Sequence, residues 1–160
     1  KNMNKRLNSD DKTAVLLVNG FNGLGIRALS SIFKLFGEIY KNFIFVQIGV
    51  IDAGVFKGVE EIENLQANIK NDVGAYVDLL SSQGYYAESF TSIGTDVVDE
   101  VVRMAPKILE RFPNAVFFGG QIVFPNGSLL ARWLHNYTVF SSQKKLYSDG
   151  IPFIILPIKV

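Results

Sequence analysis

Five short apolar runs alternate with longer stretches in which apolar residues recur every three or four positions, a pattern that few folds satisfy. The runs are Ala14 to Val18, Phe43 to Ile51, Tyr85 to Ile93, Ala115 to Phe124 and Ile151 to Ile158. Such alternation builds βαβ units, hence a parallel five-stranded sheet with helices on both faces: a three-layer, doubly wound α/β domain. The first run is free of polar residues, as a strand buried on both faces requires. The third carries Glu88, Ser89, Thr91 and Ser92, which places it at one edge of the sheet. The fifth contains Pro152 and Pro157, and two residues that lack a backbone donor place it at the other edge.

The intervening stretches read as helices. Ile26, Leu29, Phe33 and Phe36 form one stripe, closed by Gly37 at a C-terminal cap position. From about Val59 to Leu80, Ile62, Leu65, Ile69, Val73, Tyr76 and Leu80 form a second. Thr95 or Asp96 can cap the third helix, because a short side-chain oxygen accepts an orphan backbone N–H. Its buried stripe is Val98, Val101, Ala105, Ile108 and Phe112, and Asp99 and Arg103 are spaced as an exposed (i, i+4) pair. The last helix, Ser128 to about Ser148, is apolar around much of its circumference, so it is either enclosed in the core or in contact with a partner.

At 160 residues the chain fits one domain. With 16 Lys+Arg against 15 Asp+Glu it carries no global field that would recruit nucleic acid. The absence of cysteine excludes disulfides and thiolate metal sites. No run approaches the ~18 apolar residues of a membrane span. Residues 1–12 are polar, with Lys1, Lys5 and Arg6, and read as a linker from something longer or as a terminal extension. Residues 13–160 are the domain.

Groups that could carry chemistry are few. Gly20, Gly23 and Gly25 follow the first buried run, where glycine lets backbone amides approach an anion at a helix N-terminus. Their G-x-x-G-x-G spacing matches neither the dinucleotide fingerprint nor a P-loop. They serve either as a tight turn with close helix–strand packing or as a ligand-contacting loop. Asp52, just past the second run, is either a turn former or a ribose or metal ligand. Gly119, Gly120, Gly127 and Ser128 flank the loop into the last helix, where Ser128 caps the helix or helps receive an anion. The single histidine, His135, has neither a second imidazole for a metal nor a cysteine to activate, and no G-x-S-x-G elbow is present. Catalysis, a metal centre and a cofactor are therefore not expected.

This arrangement resembles the universal stress protein (UspA-like) fold, with its long second helix and a glycine-bearing segment after the fourth strand. The resemblance implies strand order 3-2-1-4-5, in agreement with the two edges assigned above. Nucleotide-binding members of that family carry an aspartate just after the first strand and a G-x-x-G-x9-G-[ST] loop after the fourth. Here Asn19 stands at the first position, and Gly127-Ser128 follows Gly120 at a shortened spacing. If a ligand binds, the resemblance implies a site at Asn19, Gly20, Gly23, Asp52, Gly120, Gly127 and Ser128, with ATP held weakly or not at all.

A second resemblance is more specific. Phe43 to Asp52, Gly94 to Val98, Ala115 to Gly120, Leu134-His135-Asn136-Tyr137 and Gly150 to Pro157 are similar to the C-terminal domain of bacterial amino acid permeases of the APC superfamily. It implies a regulatory or assembly domain, at the cytoplasmic face of the inner membrane, joined to a transmembrane domain in the same polypeptide. The basic residues of 1–12 suit such a flank. The alternative is a free-standing nucleotide- or metabolite-binding protein of the stress-protein type. In either case the apolar edge run predicts a homodimer through Ile151, Phe153 and Ile155, with Trp133 or Phe140 nearby, and Ile154 as an edge position that tolerates charge.

Overall fold

The structure, a computed structural model, describes residues 7–123 and 129–159, apart from the side chains of 122, 123 and 129–136. The elements follow one another as β1 (Thr13–Leu17), α1 (Gly23–Phe36), β2 (Asn42–Val50), α2 (Val59–Ser82), β3 (Tyr86–Gly94), α3 (Val97–Arg111), β4 (Ala115–Val123), α4 (Leu129–Ser148) and β5 (Phe153–Lys159). All four strand pairings are parallel, and the order is β3-β2-β1-β4-β5. Both expected edges are therefore found, and β1 lies at the centre.

Strand pleating explains why the central runs are unbroken by polar residues. Successive side chains point to opposite faces, and both faces are covered. Ala14 and Leu16 of β1, Phe43 and Phe45 of β2, and Phe118 of β4 pack with Leu29 and Ile32 of α1 and with Val73, Tyr76 and Leu80 of α2. Val15, Ile44, Val46 and Phe117 face the other way, toward Val101, Ala105 and Ile108 of α3 and Leu146 of α4. The expected stripe of α3 is the buried face observed, that of α2 is buried from Ile69 to Leu80 with Ile62 and Leu65 half-buried, and Asp96 caps α3 by accepting from the Asp99 amide at 2.9 Å. Pro106 lies inside α3 without ending it.

Two charge assignments differ from expectation. Arg103 pairs with Glu100 rather than Asp99, and Glu100 in turn accepts from Ser92 of β3 at 2.6 Å. Asp99 faces α4 and meets Lys145 at 3.2 Å. Arg103 is thus drawn to a carboxylate already fixed against the sheet, where both charges gain a third partner. A second such link joins Arg111 of α3 to Glu88 and the Tyr86 hydroxyl on β3. These links account for Glu88 and Ser92 in β3 beyond its edge position.

Residues 8–12 are fastened to the amino-terminal end of the sheet. The Asn42 side chain donates to the Asn8 carbonyl at 2.8 Å, Asn114 donates to Asp10 at 2.6 Å, and the Lys41 amide donates to Lys12 at 2.9 Å.

At the other edge, β5 is more enclosed than its composition suggests. Ile151 precedes the strand and is buried, as is Phe153. Ile154 packs on one core cluster and Ile155 on the other. The Phe117 amide bonds the Pro152 carbonyl at 3.0 Å, so Phe153, Ile155 and Pro157 turn their backbone groups away from β4. The Phe153 carbonyl is already taken by the Tyr147 hydroxyl at 2.8 Å and by Gln143, and the Lys159 carbonyl by Arg27. The segment expected to be open thus narrows to the surroundings of Ile155.

Candidate functional site

A cavity of about 450 Å³ opens at the carboxyl ends of the strands, where β1 lies between β2 and β4. This is the point at which the connections run to opposite sides of the sheet, and open α/β sheets bind their ligands there. Leu17, Val18 and Asn19 line it from β1 and its exit, Val46, Ile48 and Val50 from β2, and Gly120 from β4. Asn22, Leu24, Gly25 and Ala28 of the α1 turn, Val97 and Val101 of α3, and Thr138 and Val139 of α4 complete the described wall with Ile158 of β5. Phe21, Leu24, Val50, Val55, Phe56 and Val59 are exposed apolar side chains in the loops at this end and in the element ends beside them.

The glycine loop after β1 is held by a built-in network. Gly20, at φ +87°, adopts the left-handed conformation that glycine accepts without strain. Its amide donates to Gln47 Oε1 at 3.1 Å, and Gln47 Nε2 donates to Asp72 at 3.0 Å. Its carbonyl accepts from the Tyr76 hydroxyl at 2.8 Å. Tyr76 is fully buried, stacked on Phe45 with centroids 5.0 Å apart, and meets Phe21 edge-on. Gly25 is glycine because of that ring: a β-carbon there would lie 2.8 Å from Tyr76 Cζ and overlap the hydroxyl. Asn22 caps α1, accepting from the Gly25 amide at 3.0 Å and donating to the Asn19 carbonyl at 2.8 Å.

Of the site residues expected from sequence, Asn19 and Gly120 line the cavity. Gly20 lies behind the wall with both backbone groups bonded. Gly23 stands in the first turn of α1, exposed and unconstrained by any neighbour. Asp52 serves its own turn, accepting from the Gly54 amide at 2.9 Å. Gly127 and Ser128 lie outside the described residues, as do the side chains of Trp133 and His135. Reading the sequence alone missed Asn22, Thr138 and the apolar wall, because Ile48, Val97 and Val101 obey the same periodicity as core residues. Among the described residues, no group of three or more carboxylate or imidazole side chains is placed to hold a metal.

Burial pushes the Tyr76 pKa above its ordinary value, and the negative charge of Asp72 adds to this against a backbone hydrogen bond that lowers it. Tyr40 is raised by burial, and Tyr86 by burial ahead of its bond to Glu88. A raised folded-state pKa contributes stability that is complete below the unfolded value of about 10 and is lost as pH climbs through the folded value. Stability measured by urea titration is therefore expected to hold at neutral pH and fall above about pH 10. Tyr76→Phe should cost about 1 kcal/mol at pH 7, through the Gly20 carbonyl left without its donor, and make the alkaline fall shallower.

No protein-family model matches the chain, and no curated protein matches it. Solved structures do. A universal stress protein family member from Burkholderia pseudomallei superposes with a TM-score of 0.61 at 10 % identity, over 92 % of this chain and 97 % of that one. A universal stress protein from Archaeoglobus fulgidus gives 0.53 at 16 % identity, over 91 % and 93 %. The Archaeoglobus fulgidus protein in complex with dAMP gives 0.52 at 14 % identity, over 90 % and 96 %. The chain therefore has the universal-stress-protein fold, with which its strand order agrees. No helix among the described residues is long and apolar enough to cross a membrane.

Proposed function

We propose that this chain is a non-catalytic, ligand-binding regulatory domain, and that it forms the cytoplasmic portion of an APC-type amino acid permease. The observation that carries the first part is the cavity at the strand carboxyl ends, whose described lining holds no acid, base or nucleophile beyond the Thr138 hydroxyl. The second part is supported by the permease-like phrases of the sequence, which extend from β2 to β5. In the full-length polypeptide, deletion of residues 13–160 is expected to leave membrane insertion intact and change the KM or maximal rate of amino acid uptake. Unaltered uptake kinetics would overturn the regulatory reading. The permease assignment also requires a reading frame that continues upstream of Lys1 into about twelve apolar segments of ~20 residues.

A free-standing nucleotide-binding protein of the stress-protein type is the second reading, favoured by the dAMP complex among the similar structures. Calorimetry separates the two ligand expectations. ATP and AMP should give no saturable heat at hundreds of micromolar, because Asn19 replaces the carboxylate and the Gly20 amide is engaged by Gln47. Micromolar affinity for either would favour the second reading.

A further inference from the structure

We infer that the ligand of this cavity is an uncharged, mainly apolar small molecule with one or two hydrogen-bond acceptors, a proposal that rests on the ligand-binding reading above. A volume of about 450 Å³ is in the range of small-molecule sites. Ile48, Val50, Val97, Val101, Val139 and Ile158 give it an aliphatic wall, and none of its described lining residues ionises. Against these described residues an anion would lose its water without gaining a counter-charge from a side chain, a cost that apolar surroundings do not offset.

Three of the backbone donors at this turn are also engaged. The Gly20 amide is bonded to Gln47, and the Gly25 amide to Asn22. The Ile26 amide belongs to the helix, bonded to the Asn22 carbonyl. What remains for a ligand is neutral. The Asn19 carboxamide is exposed and makes no hydrogen bond among the described residues, and Asn22 has one amide proton beyond its bond to Asn19. Two carboxamides at the mouth of an aliphatic cavity suit a carbonyl, ether or hydroxyl oxygen attached to an apolar body. The orientation follows: oxygen at the α1 turn, apolar part between β2 and α3.

Prodan, a neutral naphthalene ketone whose emission shifts to the blue in apolar surroundings, tests this with the full chain. Titration is expected to give a saturable blue shift with one site per chain. Ile48→Asp should weaken it at least tenfold, by placing a carboxylate in the wall. Val50→Asp, at a half-exposed rim position where folding is not at stake, should weaken it about fivefold. Phe56→Ser, on the exposed loop away from the lining, should leave it unchanged. Loss of binding in Phe56→Ser with retention in both aspartate variants would assign the probe to the outer surface and overturn the proposal. Binding of AMP but not prodan would overturn the ligand class and leave the ligand-binding reading standing. Binding of neither would overturn both.

Discussion

Gly25→Ala is expected to lower the stability of the fold by about 3 kcal/mol, the upper end of what overpacking a filled interior costs. On helix propensity alone the sign would be opposite, since alanine is favoured over glycine by about 1 kcal/mol inside a helix. The contact decides. The new β-carbon would meet the Tyr76 ring at 2.8 Å from Cζ, and that ring is stacked on Phe45, buried, and bonded to the Gly20 carbonyl. It has no free direction in which to move. Urea titration of the single and double variants isolates the cause. In a Tyr76→Phe background the hydroxyl overlap is gone while the Cζ contact stays, so the same substitution should cost clearly less, by about 1 kcal/mol or more. Equal costs in the two backgrounds would show that Gly25 is required for some other reason. Prodan binding should suffer too, because Asn22, which bonds the Gly25 amide, forms part of the cavity wall.

This cluster shows why the architecture was legible in the sequence and the site only partly. Strand order follows from quantities that composition reports directly: an unbroken Ala14 to Val18 must be central, and a strand with Glu88 and Ser92, or with two prolines, must not. The glycine spacing, by contrast, is ambiguous on its own. Gly20 answers to a positive φ, Gly25 to a ring supplied by Tyr76 from a distant helix, and Gly23 to nothing in its surroundings. No local reading could separate them, since the deciding partner is 51 residues away in the sequence (76 minus 25). The cavity wall was hidden for a related reason. Its aliphatic residues come from β2, α3, α4 and β5, and each is patterned as an ordinary core position. The Asp99–Arg103 pair failed because helical spacing says which charges can meet, not which one a neighbouring strand has already fixed.

Ile154→Lys is expected to destabilise the monomer by about 2–4 kcal/mol, not merely to split a dimer. The composition of β5 suggests an edge at which charge is harmless. The structure gives Ile154 a different environment: it is partly buried and packed against the cluster formed by α1, α2 and the sheet, beside Leu156 and Ile158. A lysine there can carry its ammonium to water along its stem, but the branched side chain's packing on this face is lost and part of the charge's hydration with it. Pairing across this edge is therefore better probed through the backbone. Ile155 turns its N–H away from β4, so Ile155→Pro removes one outward donor without breaking the β4–β5 ladder, as Pro157 already does two residues on. If two copies join along β5, sedimentation at tens of micromolar should give a dimer for the native chain and a monomer for Ile155→Pro, with a urea midpoint lowered only by the share of core packing that the Ile155 side chain gives up. A native chain that sediments as a monomer would rule the pairing out. A dimer unaffected by Ile155→Pro would move the contact elsewhere, toward the exposed Tyr137 and Phe140 face of α4. The two substitutions thus separate what an apolar edge does for its own core from what it offers a second copy. Ile154 is tied to the first role, and the backbone of Ile155 to the second.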